Sequence, residues 1–536
     1  MSRSPAPSLP EATTRLLSVR SFQWYATLVA SALLLWLYAI MVGKTGGRLI
    51  YTLDDPYIHL ALAENILRGS YGVNLGELCA PSSSILFPFL LTLPLAMGWG
   101  DQAPLLYIVP ATLGTVWLMA GLVWQNAGPG FGRLAPLAFL VIPPALILAL
   151  NSLALMFTGM EHPLHVLGMT MFLTGLYQAF QPGGRPTLAA CGIALCALIR
   201  FEGLAIAPFG LVALYLAGHR KTAWILGGGL AGVLGAYASA MWAWNLPLLP
   251  SSVLTKSLAA TSLSEGHALV GLKTAIWGVY SSLETRTGAL LALAALLFTA
   301  GLFQREGHAR PAQVIQGLAL LTIGAHLCAG HFGFFARYEA YVVATALCAV
   351  FLIPRDFGLG RGALVSLTSV LGILLVTGLP YFALILHTPP GSLNIYQQQY
   401  QMHRFATEYF PEPVAINDLG WVAFQNDQYV LDFIGLGSER ARLLTRAEGR
   451  TVETLQRLVR EHHIAYAMIY DSWFPNRPPS WRHVATLQTI RVLAASDKVA
   501  FYLIAHDQEA RMRAALQAFA KTLPPGASLT LTAPTP

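Results

Sequence analysis

Asp54 and Asp55 stand side by side in the segment LDDPYIHLALAENILRGSYGVNLGE, directly after a long apolar run. Adjacent carboxylates at a membrane edge are suited to take a proton from a hydroxyl, with or without a cation to help. Pro56 after Asp55, and Gly69 further on, predict a helix capped by Asp55. Ile58, Leu62 and Ile66 form an apolar stripe on that helix, which is therefore expected to lie along the membrane surface. Its dipole favours ionised carboxylates at its start. The competing reading makes Asp55 a cap and Asp54 an ordinary loop residue. His59, one turn after Asp55, is placed to pair with it.

Other residues extend this chemistry. Glu161, in TGMEHPLHV, is suited to orient an acceptor or bind a cation, the alternative being a solvated loop glutamate. His162 and His165 flank it, but Pro163 lies between them and no fixed ligand spacing marks a metal motif. Lys256 in PSSVLTKS and Arg337 in HFGFFARYE are the best phosphate partners, lipid headgroups being the alternative. Arginine grips phosphate by two parallel hydrogen bonds and lysine acts as a point charge. Arg200 and Glu202, two residues apart in LIRFEG, are expected to pair with each other ahead of binding substrate. His326 lies inside an apolar run, where a neutral histidine bonded to a neighbouring helix is favoured over a functional group. His331 is a candidate nearer the mouth. Asp418 and Asp432 are placed to reach an acceptor, with turn capping favoured for Asp418. The sequence requires no cofactor, and a divalent cation is compatible with the acids.

These groups must be positioned by a membrane protein. Of 536 residues, 55% are hydrophobic and 11% charged, whereas a soluble domain carries about 25% charged residues. That composition excludes a soluble enzyme, a disordered scaffold and a secreted disulfide module. Apolar runs fall at about 22–42, 104–124, 134–150, 164–180, 187–199, 203–217, 222–242, 287–303, 312–329, 338–354 and 363–386. The run at 84–99 is broken by Pro88 and Pro94. If it does not cross, Arg133, Arg185, Arg220, Arg305, Arg310, Arg355 and Arg361 all fall on the side of the Arg-bearing N-terminal tail, as the positive-inside rule requires. It is therefore expected to be a re-entrant or interfacial hairpin. The result is about eleven crossings, with the N-terminus cytoplasmic. The net charge of +7 is explained by this orientation and not by nucleic acid.

Residues 1–387 thus form an expected membrane domain, and 388–536 an extracytoplasmic α/β domain. Strands are predicted at 414–417, 429–434, 465–470, 486–493 and 500–505. Helices are predicted at 394–409, 451–462 and 508–521, and the final PPGASLTLTAPTP is expected to be a loose tail.

The order of motifs resembles the GT-C superfamily of polyprenyl-phosphate-sugar-dependent glycosyltransferases, nearest to arabinofuranosyltransferase-like members. The acidic pair, YIHLALAENILRG, YGVN and PSSS resemble its first outer loop, and TGMEHPLHV its second outer-loop motif. LIRFEG is similar to a TRPEG-like stretch with Phe201 for proline, and LPSSVLTKS to an LPNTFYAK-like loop. VAINDLGWVAFQNDQYVLDFIGLGS is similar to a DxG…DxxGL stretch of the outer domain. The resemblance implies an inverting transferase in the cytoplasmic (inner) membrane. A sugar, arabinofuranose in the nearest subgroup, would pass from a polyprenyl-phosphate donor to a glycan, lipid or protein acceptor outside the membrane. It favours Asp54 as the base and Asp55 next. A transporter or flippase, and a non-catalytic envelope-assembly protein, are the competing classes. Inverted repeats typical of transporters are not visible in the sequence.

Overall fold

Backbone polar groups inside a bilayer must be paired within the chain, and a helix does this for a long apolar run. The computed structural model describes residues 17–251, 254, 268–303, 310–352 and 362–533. Every predicted apolar run is helical. Val19–Lys44, Leu105–Ala127, Ala135–Ala149, His162–Ala179 and Thr187–Ile199 come first. Phe201–Leu216, Arg220–Ala243, Arg286–Phe303, Arg310–Ala329, Ala340–Leu352 and Ala363–Gln397 follow. Ala268–Leu283 is an additional helix that the sequence reading does not anticipate.

Among the described residues, five helical stretches have the length and hydropathy to cross a membrane: Val19–Lys44, Gly100–Ala149, Arg220–Ala243, Arg310–Ala329 and Ala363–Tyr409. A sixth is added if residues 273–283 and 286–302, bent by 105°, act as one. The protein is a multi-pass membrane protein, but length alone does not reproduce the expected number of crossings. Arg305, Arg355 and Arg361, used in the orientation argument, lie outside the described residues. Thr187–Ile199 and Ala340–Leu352 have 13 residues each, a rise of about 20 Å against a hydrocarbon core of about 30 Å. Such helices are held by packing. A Cβ on Gly175 would collide with the Ala189 amide, and one on Gly192 with the Phe172 amide. Only glycine lets helices His162–Ala179 and Thr187–Ile199 approach so closely. Phe87–Ala96, in the doubtful 84–99 run, is a ten-residue helix and too short to cross.

The acidic helix corrects an expectation. Asp55–Leu67 does not lie as an amphipathic helix on a surface. Tyr57, Ile58, His59, Leu60, Ala61, Leu62 and Ala63 are all buried, so it is enclosed on every side. It packs on Phe87–Ala96 and on the short helix Gly420–Ala423 of the C-terminal part. The helix also starts one residue earlier than predicted, with Asp54 at the N-cap position and Asp55 as its first residue.

The C-terminal part is a six-stranded mixed sheet. Its strands are β1 (Val414–Ile416), β2 (Val430–Asp432), β3 (Tyr466–Ile469), β4 (Arg482–Gln488), β5 (Lys498–Leu503) and β6 (Ser528–Leu531). Their order is β2-β1-β3-β5-β4-β6. β1 runs parallel to β2 and β3, and the other pairings are antiparallel. The segment expected as a loose tail instead contributes β6, which pairs with β4 from Ala485–Leu531 to Gln488–Ser528. β4 is displaced toward the N-terminus of its predicted range, because residues 490–494 serve as a docking loop. Asn394 Oδ1 accepts the Val492, Leu493 and Ala494 amides at 3.1, 2.9 and 3.0 Å. Asn394 lies on Ala363–Gln397, a helix that runs straight through residue 387 despite Pro389 and Pro390. The membrane part and the sheet are therefore joined by a continuous helix.

Candidate active-site cavity

The two adjacent aspartates point to different places. Asp54 is 7% exposed. Its Oδ2 accepts the Gly420 amide at 2.7 Å and its Oδ1 the Trp421 amide at 2.8 Å. Asp54 therefore caps the first turn of Gly420–Ala423 from a distant part of the chain, the role expected of Asp418. Asp418 itself accepts Gln399 Nε2 at 2.7 Å and the Tyr470 hydroxyl at 3.4 Å. Burial and the neighbouring Asp418 charge push the Asp54 carboxyl up, against the pull of the two amides. Burial likewise raises Asp418, to about 6.

Asp55 faces a cavity of about 330 Å³. Its lining includes His59, Ser83, His162, Arg200, Glu202, His326, His331, Arg337, Tyr338 and Tyr341, interleaved with Ile58, Met160, Phe201, Ile206 and Ala325. Of the residues nominated from sequence, Asp55, His59, Arg200, Glu202, His331 and Arg337 converge here. Asp54 does not reach it, and Lys256 lies outside the described residues. Glu161 is fully buried directly behind the wall.

Asp55 forms an ion pair with Arg337, whose Nη2 also donates to the Tyr338 hydroxyl at 2.9 Å. The guanidinium lies 4.8 Å from the Tyr338 ring centroid and 5.6 Å from that of Phe334. Three successive residues before it, Phe334, Phe335 and Ala336, have φ of 47°, 64° and 54°. Left-handed backbone at a bulky residue costs roughly 1–3 kcal/mol, and surrounding contacts must hold it. Asn151 Nδ2 donates to the Phe335 carbonyl at 2.7 Å, and the Glu339 carboxyl accepts the Gly333 amide at 3.2 Å.

Glu161 anchors the other side. Its Oε1 accepts Arg200 Nη1 at 2.7 Å and the Ser83 hydroxyl at 2.8 Å, and its Oε2 lies 3.6 Å from His59 Nε2. Burial raises the Glu161 carboxyl, but His162, Arg200 and His59 outweigh it and hold the group far below the usual carboxylate range. The solvated-loop alternative is thus excluded by burial. Arg200 also grips Glu202 with two bonds, at 3.0 and 2.6 Å, the mutual pairing anticipated from sequence. Burial lowers His59 against the pull of Glu161, and its Nδ1 lies 3.1 Å from the Ser82 hydroxyl.

His326 Nδ1 lies 3.1 Å from the Tyr341 hydroxyl on helix Ala340–Leu352, the neighbouring-helix bond favoured from sequence. It nevertheless also lines the cavity, as do His162, Tyr338 and Tyr341. Sequence reasoning names His162 and His326 but favours other roles for them, and it misses Tyr338 and Tyr341, which lie inside or beside an apolar run. The HFGFFARYE segment, dense in aromatic and charged groups, is the available signal for Tyr338. His165 stacks on Tyr341 with ring centroids 4.4 Å apart.

Comparison with known proteins places this architecture. The structure of the Archaeoglobus fulgidus oligosaccharyltransferase in the apo form is similar over 87% of this chain and 73% of its own, with 11% identity and a TM-score of 0.50. The fold is of the GT-C type. The same archaeal protein in complex with Zn and sulfate superposes with a TM-score of 0.44 at 13% identity, covering 88% of this chain and 72% of that one. Its complex with an inhibitory peptide and a dolichol-phosphate gives 0.47 at 10% identity, covering 91% and 74%. The model of a domain of unknown function, DUF8728, matches residues 393–502. No curated protein sequence matches the chain.

In this GT-C-type fold, the C-terminal part completes the cavity wall with Leu436. Asp432 ends β2 and binds the following turn, accepting the Ile434, Leu436 and Gly437 amides at 2.8, 2.6 and 3.2 Å. Gly435 has a φ of +86°, and a Cβ there would meet the Arg442 backbone at 2.6 Å. Ser251 ties the turn to the loop before Phe87–Ala96, with its hydroxyl 2.7 Å from the Leu436 carbonyl and 3.0 Å from that of Ala80. Asp432 thus shapes the wall, and its carboxylate is spent on backbone amides.

Proposed function

We propose that the protein is an inverting glycosyltransferase that moves a sugar from a polyprenyl-phosphate donor to a hydroxyl acceptor. The carrying observation is the Asp55–Arg337 pair in the wall of a cavity lined by both apolar and charged side chains. A membrane-embedded isoprenoid would lie along Phe201, Ile206 and Ala325, and its phosphate would approach Arg337. The GT-C-type fold supports this reading over a transporter or an assembly scaffold.

In this mechanism Asp55, not Asp54, is the base. Arg337 holds Asp55 in an ion pair until the donor arrives. A phosphate that draws the guanidinium toward itself loosens that pairing, so donor binding readies the base. The acceptor oxygen attacks the anomeric carbon as Asp55 takes its proton. The bond from that carbon to the phosphate oxygen breaks, and the electron pair leaves with the lipid phosphate, whose charge Arg337 stabilises in a low-dielectric site. Glu161, through Arg200 and Ser83, positions the opposite wall and never meets water. Lys256 is a second phosphate partner in this proposal, and His59, Arg200, Glu202 and His331 surround the sugar.

The arabinofuranose donor, the inner-membrane location with a cytoplasmic N-terminus, and the division into a 1–387 membrane domain and an extracytoplasmic remainder belong to the same proposal. Acceptors are an envelope glycan, a lipid or a protein. The test is transfer of radiolabelled sugar from defined polyprenyl-phosphate donors by the purified chain. Product formation that Asp55→Asn abolishes supports the reading. Flux of lipid-linked sugar into proteoliposomes without a glycosidic product overturns it.

A further inference from the structure

A divalent cation needs oxygen ligands not already neutralised by a nearby positive group. The cavity does not supply them. Asp55 is paired with Arg337, Glu202 with Arg200, and Glu161 is buried against Arg200, Ser83 and His59. Among the described residues no group of three or more histidines, cysteines or carboxylates is arranged to hold a metal ion. The donor set does not fit a metal.

What the wall does hold is nitrogen without partners. Arg337 is 3% exposed, His162 3% and His326 2%. Arg337 Nε and Nη1, both ring nitrogens of His162 and His326 Nε2 are buried and make no hydrogen bond among the described residues. Leaving a buried donor unsatisfied forfeits the hydrogen bonds it would make in water. A ligand rich in acceptors recovers that cost. When His326 Nδ1 accepts the Tyr341 hydroxyl proton, Nε2 carries the N–H. All three residues line one cavity.

We infer that Arg337, His162 and His326 together form a phosphate-ester site that works without a divalent cation. The identification of that phosphate as the donor's rests on the proposed transferase function, whereas its binding is measured separately. The guanidinium supplies the charge and two imidazole N–H groups replace the metal as directional partners, so the site favours a phosphate monoester or diester over a carboxylate or a neutral alcohol.

The experiment measures binding of farnesyl phosphate, inorganic phosphate and farnesol to the full chain in detergent, with excess EDTA or with added magnesium or manganese. The expected result is farnesyl phosphate binding that EDTA leaves unchanged, at least about tenfold tighter than either other probe. His162→Phe or His326→Phe should each weaken it about tenfold, and His162→Gln, which restores an N–H donor, should recover most of the loss. Binding that requires an added cation overturns the inference. So do equal affinities for farnesol and farnesyl phosphate, equal affinities for inorganic and farnesyl phosphate, and wild-type affinity in both phenylalanine variants. Phosphate binding that passes these tests in a protein that transfers no sugar would instead sink the transferase reading and leave the site standing.

Discussion

Asp55 and Arg337 are 282 residues apart in the chain, and their side chains form an ion pair in the cavity wall. One group is suited to take a proton and the other to hold an anion, and each sets the state of the other. The pairing gives the proposed chemistry its order, since a phosphate reaching Arg337 changes the environment of Asp55.

Asp55→Asn should therefore lower turnover by about 10²–10⁴ while donor affinity stays within about threefold of wild type. Single-turnover sugar transfer and donor binding, measured on the same preparation, separate the two effects. Near-normal turnover in this variant would remove Asp55 from the role.

Arg337→Lys keeps the charge and loses the two-pronged grip. It should raise the donor KM by about tenfold or more and lower kcat less. An unchanged donor dependence would show that Arg337 serves only to hold Asp55.

Asp54→Ala should act on stability first. It strands two buried amides, at Gly420 and Trp421, at a cost of about 2–6 kcal/mol. A lower melting temperature, with faster hydrogen exchange at those two amides, is the expected signature. Loss of turnover with unaltered stability and exchange would return Asp54 to the role of base.

Asp418 predicts a pH dependence. Its folded-state value of about 6 lies above the ordinary 3.8, because burial penalises the charged form. A raised carboxyl favours the folded state below the ordinary value, and that contribution is lost as pH rises through 6. Across this window the loss is about 2–3 kcal/mol. Asp418→Asn keeps an acceptor for Gln399 and Tyr470 but cannot ionise, so it should flatten this part of the profile. Wild type and variant losing stability in parallel from acid toward neutral pH would refute the assignment.

Leu436→Trp should obstruct the cavity from the C-terminal side, and Asp432→Ala should free the turn that carries Leu436. Both are expected to raise the KM for substrate by several-fold, with kcat affected less for Asp432→Ala. Unchanged kinetics in both variants would mean that the C-terminal part supplies no working wall.

Much of this is legible in the sequence because it depends on local chemistry. The apolar runs have to become helices, and the strand patterns around 414, 430, 466 and 500 announce a sheet. Arg200 and Glu202 are close enough in sequence for their pairing to be read directly. The expected tail fails because SLTL is short and weakly patterned, and only the exposed edge of β4 makes it a strand. The surface position expected for Asp55–Leu67 fails for a similar reason. A stripe of Ile58, Leu62 and Ile66 specifies one apolar face and says nothing about what covers the others.

The sequence by itself determined that this is a helical membrane protein with a C-terminal sheet, and it nominated most of the charged groups that meet in the cavity. Hydropathy and residue type act locally and can be read along the chain. Only the tertiary structure decided which of two adjacent aspartates faces the cavity. Asp54 is consumed by amides 366 and 367 residues away, and Asp55 is left to face Arg337. Neighbouring carboxylates have identical intrinsic chemistry, so their roles separate only when distant backbone and charge are brought against one and not the other.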